Sequence, residues 1–319
     1  MSVKTKDRYF VTGATGCIGA WTVKNLIESG EEVFVLVRSN LDKLKLIMSS
    51  EDIAKAHIIN GDICDGALLE RALVDNKITN VIHLAAMQLP LCRNNPILGA
   101  GVNVVGTVNM FEAVRKAGIK KLVYASSTAV YGYPSEYQGG MFTHDSPLIP
   151  HSLYGVYKVA NESTAKVYFE ELGISSIGIR PFVVYGPLRD QGMSSTPTTA
   201  MKMAVKGEPY EISYGGEFGF QYVDDTAKAF IRASVVEFQG AKVYNLGGST
   251  VTMQEVIAAI EAVIPEATGL ITYRNNALPF PRQAENNELT KLIGKVCGTP
   301  IIDGIRQSIA LFRTHKASI

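Results

Sequence analysis

The sequence has no excess of charge of either sign. Its 31 Lys and Arg residues balance 30 Asp and Glu residues, which gives a formal net charge of +1. A near-neutral chain provides no electrostatic basis for binding nucleic acid or an anionic membrane surface, although a local basic pocket for phosphate groups is compatible with it. We therefore predict no nucleic-acid partner and no membrane partner.

Long apolar runs and paired cysteines are also missing. No apolar run approaches the roughly 18 residues that a membrane-spanning helix needs. The N-terminal MSVKTKDRYF leads from a short polar tail into a strand and leaves no room for a signal peptide. Since the cysteines have neither metal-ligand nor disulfide spacing, we expect reduced thiols, no metal site and a cytoplasmic location. The cysteines are Cys17, Cys64, Cys92 and Cys297.

The sequence does have a globular composition, with 46% hydrophobic and 19% charged residues. Apolar runs such as VFVLV alternate with helical patterns, as in a parallel sheet covered on both faces. We therefore predict an α/β protein with a Rossmann-type doubly wound parallel sheet. The predicted strands are Arg8–Thr12, Glu32–Val37, Ala56–Asn60, Asn80–Leu84, Lys121–Ala125 and Ser176–Arg180, and the predicted helices are Gly19–Ser29, Asp65–Lys77, Asn103–Ala117 and Ser152–Leu172.

This alternation breaks after Arg180, where residues 186–219 become rich in Gly, Pro, Ser and Thr. We predict a dinucleotide-binding Rossmann domain over residues 1–180 and a smaller, interleaved substrate-binding lobe over 181–319. Segments near 220–250 are expected to pack back on the Rossmann domain. In this second part we predict helices over 198–206, 224–238, 252–263 and 303–314 and a strand over 242–246.

A glycine-rich turn follows the first strand, with Gly13, Gly16 and Gly19 in VTGATGCIGA. Glycine is needed where the backbone turns sharply and where a Cβ atom would strike a bound pyrophosphate. The helix N-terminus that follows offers unpaired N–H groups to phosphate. In this strand–turn–helix context the glycines predict a dinucleotide site.

The second strand ends at the position that usually faces the adenosine ribose. An Asp or Glu there selects NAD, but this chain has Arg38 followed by Ser39. Because a guanidinium offers charge-assisted donors to a 2′-phosphate, we prefer NADP as the cofactor. The alternative is that Arg38 stacks on the adenine or lies in solvent while NAD binds.

Two more polar residues are associated with predicted strands. Asp62, with Ile63 beside it, either accepts a hydrogen bond from the adenine amino group or caps the following helix. His83 lies within a buried strand, and we interpret it as a core histidine with internal hydrogen bonds rather than as a catalytic base.

A group of hydroxyl residues and a Tyr–Lys pair have the side chains for proton transfer. Ser126, Ser127 and Thr128 end a strand, at the sheet edge where such folds bind ligands. Tyr154 and Lys158 are four residues apart near the start of a predicted helix, so their side chains share one face.

In this order, TGATGCIG, GDI, HLAA, NVVGT, SSTAVYG, YGVYK and RPFVVYGP resemble the extended short-chain dehydrogenase/reductase family. The resemblance implies a catalytic Ser127–Tyr154–Lys158 group, with Ser126 or Thr128 as alternatives to the serine. It also implies a homodimer paired through the predicted helices 103–117 and 152–172. A nicotinamide cofactor is then expected to contact Tyr154 and Lys158. It is also expected to contact the residues named above at the glycine turn and at the adenosine position, which are Gly13, Gly16, Gly19, Arg38, Ser39, Asp62 and Ile63. Further expected contacts are Thr15, Cys17, Ile18, Leu84, Ala85, Ala86, Asn103, Pro181 and Val184.

A tyrosine with an ordinary pKa near 10 exchanges protons poorly at neutral pH. Lowering this pKa by roughly three units requires about 4 kcal/mol, and an ammonium some 4 Å away supplies energy on that order at an effective dielectric constant of about 20. We therefore expect Lys158 to lower the pKa of Tyr154, which then acts as the acid/base on a substrate hydroxyl or carbonyl.

The sequence departs from many nucleotide-sugar enzymes of this family. These often have an Asn where RPFVVYGP has Val183 and an Arg shortly before YVDD, where this chain has Phe220 and Gln221. Both residue types help to hold a substrate diphosphate. Dehydratases also have an Asp–Glu pair where this chain has Thr128 and Ala129, so a dehydratase is disfavoured.

We therefore predict an NAD(P)-dependent oxidoreductase that interconverts a secondary alcohol and a carbonyl on a small, polar, sugar-like substrate. The alternatives are a nucleotide-diphosphate-sugar 4-epimerase with tightly held NAD and a non-catalytic, cofactor-sensing scaffold. Four arginines are either anion contacts or ordinary structural and surface residues, and the segment 274–287 is either a loop over the substrate or a rigid connector. The arginines are Arg180, Arg189, Arg274 and Arg282.

Overall fold

The computed structural model describes residues 6–137, 142–278, 285, 287–295 and 298–315. Cys297, Arg282 and part of the segment 274–287 lie outside these residues. In chain order, the strands are β1 (Arg8–Thr12), β2 (Glu32–Val37), β3 (His57–Asn60), β4 (Asn80–His83), β5 (Lys121–Ala125), β6 (Ser175–Arg180), β7 (Val183–Tyr185), β8 (Tyr210–Ile212), β9 (Glu217–Tyr222), β10 (Ala241–Asn245), β11 (Ser249–Thr252) and β12 (Ile271–Tyr273).

The α-helices of the structure include all of the predicted ones, to within a few residues except where noted below, and four short ones that the sequence analysis did not predict (Ser50–Ile53, Leu89–Asn94, Pro96–Ala100 and Asn287–Ile293). They are α1 (Cys17–Glu28), α2 (Ser50–Ile53), α3 (Gly66–Asp75), α4 (Leu89–Asn94), α5 (Pro96–Ala100), α6 (Gly106–Lys116), α7 (Leu153–Leu172), α8 (Thr196–Lys206), α9 (Val223–Val235), α10 (Met253–Val263), α11 (Asn287–Ile293) and α12 (Ile301–Thr314).

A seven-stranded parallel sheet forms the centre of the fold, in the order β3-β2-β1-β4-β5-β6-β10. Consecutive residues of β1 face opposite sides of this sheet. Tyr9 and Val11 belong to a core cluster that includes side chains of α1 and α9, whereas Phe10 belongs to a second cluster with α3 and α6. Because both faces are covered, a central strand such as β2 is apolar over nearly all of its length. The predicted α/β class and doubly wound parallel sheet are confirmed.

Residues from the second half of the chain complete this sheet. β10 pairs in parallel with β6, from Ala241 opposite Ser176 to Asn245 opposite Arg180. Helix α9 packs against α1, and both helices cover the same face of the central sheet. The other strands of this half form two small sheets, β11-β9-β7 and β12-β8, with α8, α10 and α12 packed around them.

One helical stretch differs from its prediction. The predicted helix 103–117 begins earlier, because α5, a π-helical turn (Gly101–Val105) and α6 follow one another without interruption. Among the described residues, this stretch, Pro96–Lys116, is the one that is long and apolar enough to cross a membrane by length and composition, and half of its most apolar window is buried. The stretch meets this criterion although it is not one uninterrupted apolar run, because its Gly, Asn and Thr residues break the apolar pattern without adding charge. Its side chains Met110 and Phe111 pack in the protein core.

Candidate active site

The carboxyl ends of the central strands open into one cleft with a cavity of about 460 Å³. Its walls are the glycine turn after β1, the end of β2 and the segments that follow β3, β4, β5 and β6. Parallel strands end at the same edge of a sheet, and the order of these strands reverses direction between β1 and β4. This is the position at which doubly wound sheets bind ligands.

The glycine turn is closely packed and leaves helix donors free. Gly13 has φ +72°, and a Cβ atom there would lie 2.7 Å from the backbone of Ala85. A Cβ atom on Gly19 would lie 2.1 Å from the carbonyl oxygen of Gly13. Gly16 is the N-cap of α1 and has no side chain to accept from the first N–H groups of the helix. These groups face the cleft with a partial positive charge, so the turn fits a dinucleotide pyrophosphate.

The adenosine end of the cleft contains Arg38 and Asp62. Arg38 is exposed and lines the cleft, but Ser39 does not line it. Asp62 also lines the cleft and accepts a hydrogen bond from the Cys64 N–H at 2.9 Å. The N-cap of α3 is Asp65, so the alternative that Asp62 caps this helix is wrong.

Two predicted polar residues have internal roles. His83 is buried, with Nδ1 2.7 Å from the Thr12 hydroxyl and Nε2 3.1 Å from the Thr107 hydroxyl, and burial lowers its pKa to about 3. The prediction of a core histidine is confirmed. Asn103 is also buried and does not line the cleft. Its side chain instead binds both the N–H and the carbonyl of Met87, at 2.7 and 3.0 Å, and so positions the segment after β4.

The three adjacent hydroxyl groups after β5 have different partners. Ser126 donates to the buried carboxylate of Glu162, and Thr128 donates to the carbonyl of Pro181 at 3.3 Å. The Ser127 hydroxyl accepts from the N–H of Ala129 at 3.1 Å and is close enough to the Tyr154 phenol to act on its pKa. Of the three, Ser127 therefore has the side chain that lies beside the phenol in the cleft.

Tyr154 and Lys158 lie in the cleft together, but their electrostatics differ from the prediction. Burial raises the pKa of Tyr154, although the neighbouring Ser127 hydroxyl and the positive charge of Arg189 act in the opposite direction. The Lys158 ammonium lies 5.6 Å from the centre of the Tyr154 ring and donates to the carbonyl of Ala125 at 2.6 Å. Burial lowers the pKa of Lys158 to about 8. The expectation that Lys158 lowers the pKa of Tyr154 in this state was wrong, because the ammonium is directed at a backbone carbonyl.

This burial has a consequence for stability. Because the pKa of Lys158 falls from 10.5 to about 8, the charged form costs the folded state about 3 kcal/mol below pH 8, and the cost disappears as the pH rises from 8 to 10.5. Lys158→Met is therefore expected to raise the free energy of unfolding at pH 7 by about 1–3 kcal/mol, after allowance for the lost hydrogen bond. Urea unfolding at pH 7 and pH 10 measures this gain, which should shrink at pH 10.

The matched control is Lys166→Met, because Lys166 lies on the same helix with a side chain that is 70% exposed. It should change stability little at either pH. A loss of stability in Lys158→Met at pH 7, or a gain that does not change with pH, would contradict the interpretation.

A second cavity of about 350 Å³ adjoins the cleft. Leu89, Ala129, Tyr154 and Met193 line both cavities, so the phenol lies where the two meet. The second cavity provides room for a substrate beside Tyr154.

Most predicted site residues line the cleft, and Ser39 and Asn103 are the two that do not. The sequence analysis missed Lys43, Gln88 and most of the loop 188–194. Their positions in the chain could have identified them, because segments that follow strands lie at the carboxyl edge of the sheet, where ligands bind. The residues brought together in the cleft are Gly13, Thr15, Gly16, Cys17, Ile18, Gly19, Arg38, Asp62, Ile63, Leu84, Ala85, Ala86, Ser127, Tyr154, Lys158, Pro181 and Val184.

The positions that depart from nucleotide-sugar enzymes are apolar or already hydrogen-bonded. Val183 is buried and lines the cleft. The Gln221 amide accepts from the N–H of Phe182 at 2.9 Å and donates to the carbonyls of Leu246 and Gly247. Within the described ranges, no group of three or more His, Cys, Asp or Glu side chains is placed to hold a metal ion.

Comparison with known proteins agrees with this arrangement. Residues 9–247 match the model of the NAD dependent epimerase/dehydratase family. The chain is 31% identical to the UDP-glucose 4-epimerase of Mycolicibacterium smegmatis over 97% of this chain and 99% of that protein. The crystal structure of Thermus thermophilus UDP-glucose 4-epimerase in complex with NAD has a TM-score of 0.81 and 27% identity, over 96% of this chain and 99% of that one. MoeE5 in complex with UDP-glucuronic acid and NAD has a TM-score of 0.79 and 28% identity, over 97% of this chain and 99% of that one.

Proposed function

The chain belongs to the NAD dependent epimerase/dehydratase family, and from this premise we propose that it is a nucleotide-diphosphate-sugar 4-epimerase with tightly held NAD. One observation carries the proposal: Ser127, Tyr154 and Lys158 line the same cleft as a glycine turn that fits a pyrophosphate. The near full-length similarity to a UDP-glucose 4-epimerase supports a UDP-sugar as the substrate.

The residues of the cleft have separate tasks in this proposal. The bound nicotinamide ring supplies hydride acceptance and return at the reacting carbon. Tyr154 removes the proton of the substrate hydroxyl and later returns a proton to the oxygen, and Ser127 orients that oxygen by hydrogen bonding. Lys158 holds the wall of the cleft through Ala125 and offers its remaining donors to the nicotinamide ribose.

The test uses protein purified without added cofactor. A 4-epimerase converts UDP-galactose to UDP-glucose under these conditions, and denaturation then releases about one NAD per chain. NAD is measured by its absorbance after enzymatic reduction, and the sugars by chromatography. If conversion is absent and turnover of a carbonyl or alcohol consumes added cofactor stoichiometrically, the epimerase proposal is wrong.

The second candidate is an oxidoreductase that interconverts a secondary alcohol and a carbonyl and exchanges its cofactor at each turnover. Val183 and the hydrogen-bonded Gln221 favour it, because neither offers a free polar group to a substrate diphosphate. A panel of sugar and hydroxy-acid substrates with added NAD or NADP tests this candidate in the same preparation.

We propose NAD as the cofactor because related structures contain it. We further propose that Arg38 allows NADP to bind at the same site. Arg38 lines the cleft at the end of β2, where its positive charge would attract a 2′-phosphate. We expect Arg38→Ala to weaken NADP binding about 10- to 100-fold and NAD binding little, as for the loss of a charge-assisted hydrogen bond. Titration calorimetry on cofactor-stripped protein measures both affinities.

The control for this experiment is Lys45→Ala, since Lys45 pairs with Asp42 nearby but does not line the cleft. It should leave both affinities unchanged. Equal weakening of NAD and NADP in Arg38→Ala would instead support the interpretation that Arg38 stacks on the adenine.

A homodimer is proposed on the apolar side chains that α5, the π-helical turn and α7 leave exposed. Ile97 is 87% exposed, and Val105, Val156 and Val167 are about half exposed. Burying a valine contributes about 1.5–3 kcal/mol, and a two-fold interface buries it twice. Val156→Glu is therefore expected to raise the dimer dissociation constant about 100-fold or more, as measured by analytical ultracentrifugation.

Val74→Glu is the control, because Val74 is equally exposed but lies on α3. A wild-type chain that sediments as a monomer, or an unchanged dimer in Val156→Glu, would refute this interface.

A further inference from the structure

The loop 186–194 follows β7 and lies across the cleft. It is anchored on the cofactor side, where the only Trp of the chain, Trp21 on α1, donates through Nε1 to the carbonyl of Pro187 at 3.2 Å. The Lys43 ammonium, from the segment after β2, lies 3.0 Å from the Asp190 carboxylate. Both anchors belong to the half of the cleft that contains the glycine turn. The loop therefore joins the second half of the chain to the dinucleotide end of the cleft.

Arg189 lies between these two anchors and lines the cleft. Its Nη2 donates to the Ser194 hydroxyl at 3.0 Å, whereas its Nε is buried and has no hydrogen-bond partner among the described residues. The adjacent carboxylate of Asp190 is paired with Lys43. The Arg189 side chain is half-buried on the cleft wall, and among the described residues its Nε has no hydrogen-bond partner and no carboxylate pairs with it. An oxyanion in the cleft would satisfy the donors of such a group.

The Arg189 guanidinium also interacts electrostatically with two other groups of the cleft. Its positive charge acts to lower the pKa of the Cys17 thiol in the glycine turn and also that of the Tyr154 phenol. Arg189 is therefore close enough to both ends of the cleft to interact with them.

The backbone of the loop is held in uncommon conformations around Arg189. Leu188 has φ 73°, which is unusual for a residue with a side chain, and Gly192 has φ 94°. A Cβ atom on Gly192 would lie 2.4 Å from Gln88 Oε1 and 3.1 Å from Arg189 Nη2. Glycine thus allows the loop to approach both side chains. Such conformations persist where the surrounding structure enforces them, and they concentrate at ligand-binding sites.

We propose that Arg189, supported by this loop, binds an oxyanion in the cleft. The oxyanion is a phosphate of the dinucleotide or an acidic group of the substrate. This inference rests on the proposed function in one respect, namely that the cleft binds both the dinucleotide and the substrate. It assigns to Arg189 a binding task that is separate from the proton transfer at Tyr154.

The experiment measures binding rather than turnover. Cofactor-stripped wild type, Arg189→Gln and Arg189→Lys are titrated with NAD alone and with UDP alone, and the fluorescence of Trp21 and calorimetry report binding. If the pyrophosphate is the ligand, Arg189→Gln weakens NAD about 10- to 100-fold, as expected for a lost charge-assisted contact. If a substrate oxyanion is the ligand, NAD affinity is retained and UDP affinity falls by the same factor. Arg189→Lys restores part of the affinity, because it keeps the charge without the planar fork.

Arg306→Gln is the control, since Arg306 lies on α12 and pairs with Asp303 at the surface. Arg189→Gln with unchanged affinity for both NAD and UDP overturns the proposal. So does a loss of affinity that Arg189→Lys does not relieve, because that pattern indicates a structural role. Failure of the epimerase proposal is distinguishable, since wild type then binds NAD but not UDP and the NAD titrations still decide the role of Arg189.

Discussion

Tyr154→Phe is expected to lower turnover about 10²- to 10⁴-fold, the range for removal of a general acid/base. The substitution removes the phenolic hydroxyl beside Ser127 and keeps the ring that packs near the Lys158 ammonium. Because the ring is retained, NAD and substrate are expected to bind with little change. Steady-state kinetics should therefore show the loss in kcat, with cofactor affinity measured separately by calorimetry.

Tyr157→Phe is the matched control for this prediction. Tyr157 is on the same helix, and its hydroxyl donates to the carbonyl of Pro96 at 2.9 Å instead of facing the cleft. Its removal should leave turnover nearly unchanged. Activity of Tyr154→Phe close to that of wild type would refute the role of Tyr154, whatever the substrate proves to be.

The raised pKa of Tyr154 adds a constraint on this mechanism. In the state described here the phenol is protonated at neutral pH, because burial disfavours the phenolate. It is therefore ready to donate a proton, as reduction of a carbonyl requires. To accept a proton it needs further positive charge nearby, which the oxidised nicotinamide ring supplies when bound. Arg189 and the Ser127 hydroxyl act in the same direction.

Glu162→Gln is expected to reduce the free energy of unfolding by about 3–5 kcal/mol. Glu162 and Arg180 form a bidentate pair at 2.8 and 2.6 Å, and their side chains are only 7% and 6% exposed. Glutamine keeps the size of the side chain but leaves the Arg180 charge buried without a counter-charge. Burying an unpaired charge is one of the few single changes with so large an effect.

Urea unfolding measures the effect of Glu162→Gln. The control is Glu170→Gln on the same helix, since Glu170 and its partner Lys166 are exposed and 3.7 Å apart and should contribute at most about 1 kcal/mol. The double variant Glu162→Gln with Arg180→Met should recover part of the lost stability, because it removes the unpaired charge. A loss below about 1 kcal/mol in the single variant would show that the pair is not needed to keep Arg180 buried.

This pair also explains why Arg180 does not contact a ligand. The sequence analysis had left an anion-binding role open for this residue. The Arg180 guanidinium is buried between Glu162 and the Tyr131 hydroxyl, to which it donates at 2.6 Å. Ser126 donates to the same carboxylate. The network therefore lies directly behind Ser127 and fixes the backbone that presents its hydroxyl to the cleft. We expect Glu162→Gln to weaken activity through that backbone, in addition to its effect on stability.

Several features could be predicted from the sequence because their causes are local. β2 is recognisable since six consecutive residues must be compatible with burial on both faces of a sheet. The glycine turn is recognisable since Gly13 and Gly19 lie where any Cβ atom would meet backbone. Helix α7 begins after Ser152, whose side chain caps it, and ends at Gly173 with φ 67°. Such signals are contained within a few neighbouring residues.

Other features depended on partners that are distant in the chain. Nothing in the sequence distinguishes the hydroxyl of Ser126 from that of Ser127. Successive side chains of an extended segment face opposite sides, so Ser126 meets Glu162 and Ser127 lies beside Tyr154. Asn103 positions the segment after β4 because its side-chain amide bonds the backbone N–H and carbonyl of Met87, which lies sixteen positions earlier in the chain.

The sequence alone therefore determined the doubly wound sheet, the dinucleotide turn and the family, because each depends on short patterns of size, polarity and backbone freedom. Only the tertiary structure decided which hydroxyl faces the phenol, which way the Lys158 ammonium points and that Arg189 lies in the cleft. Hydrogen bonds and charges act over a few ångströms between residues that are far apart in the chain, and their partners exist only once the sheet has brought those segments to one edge.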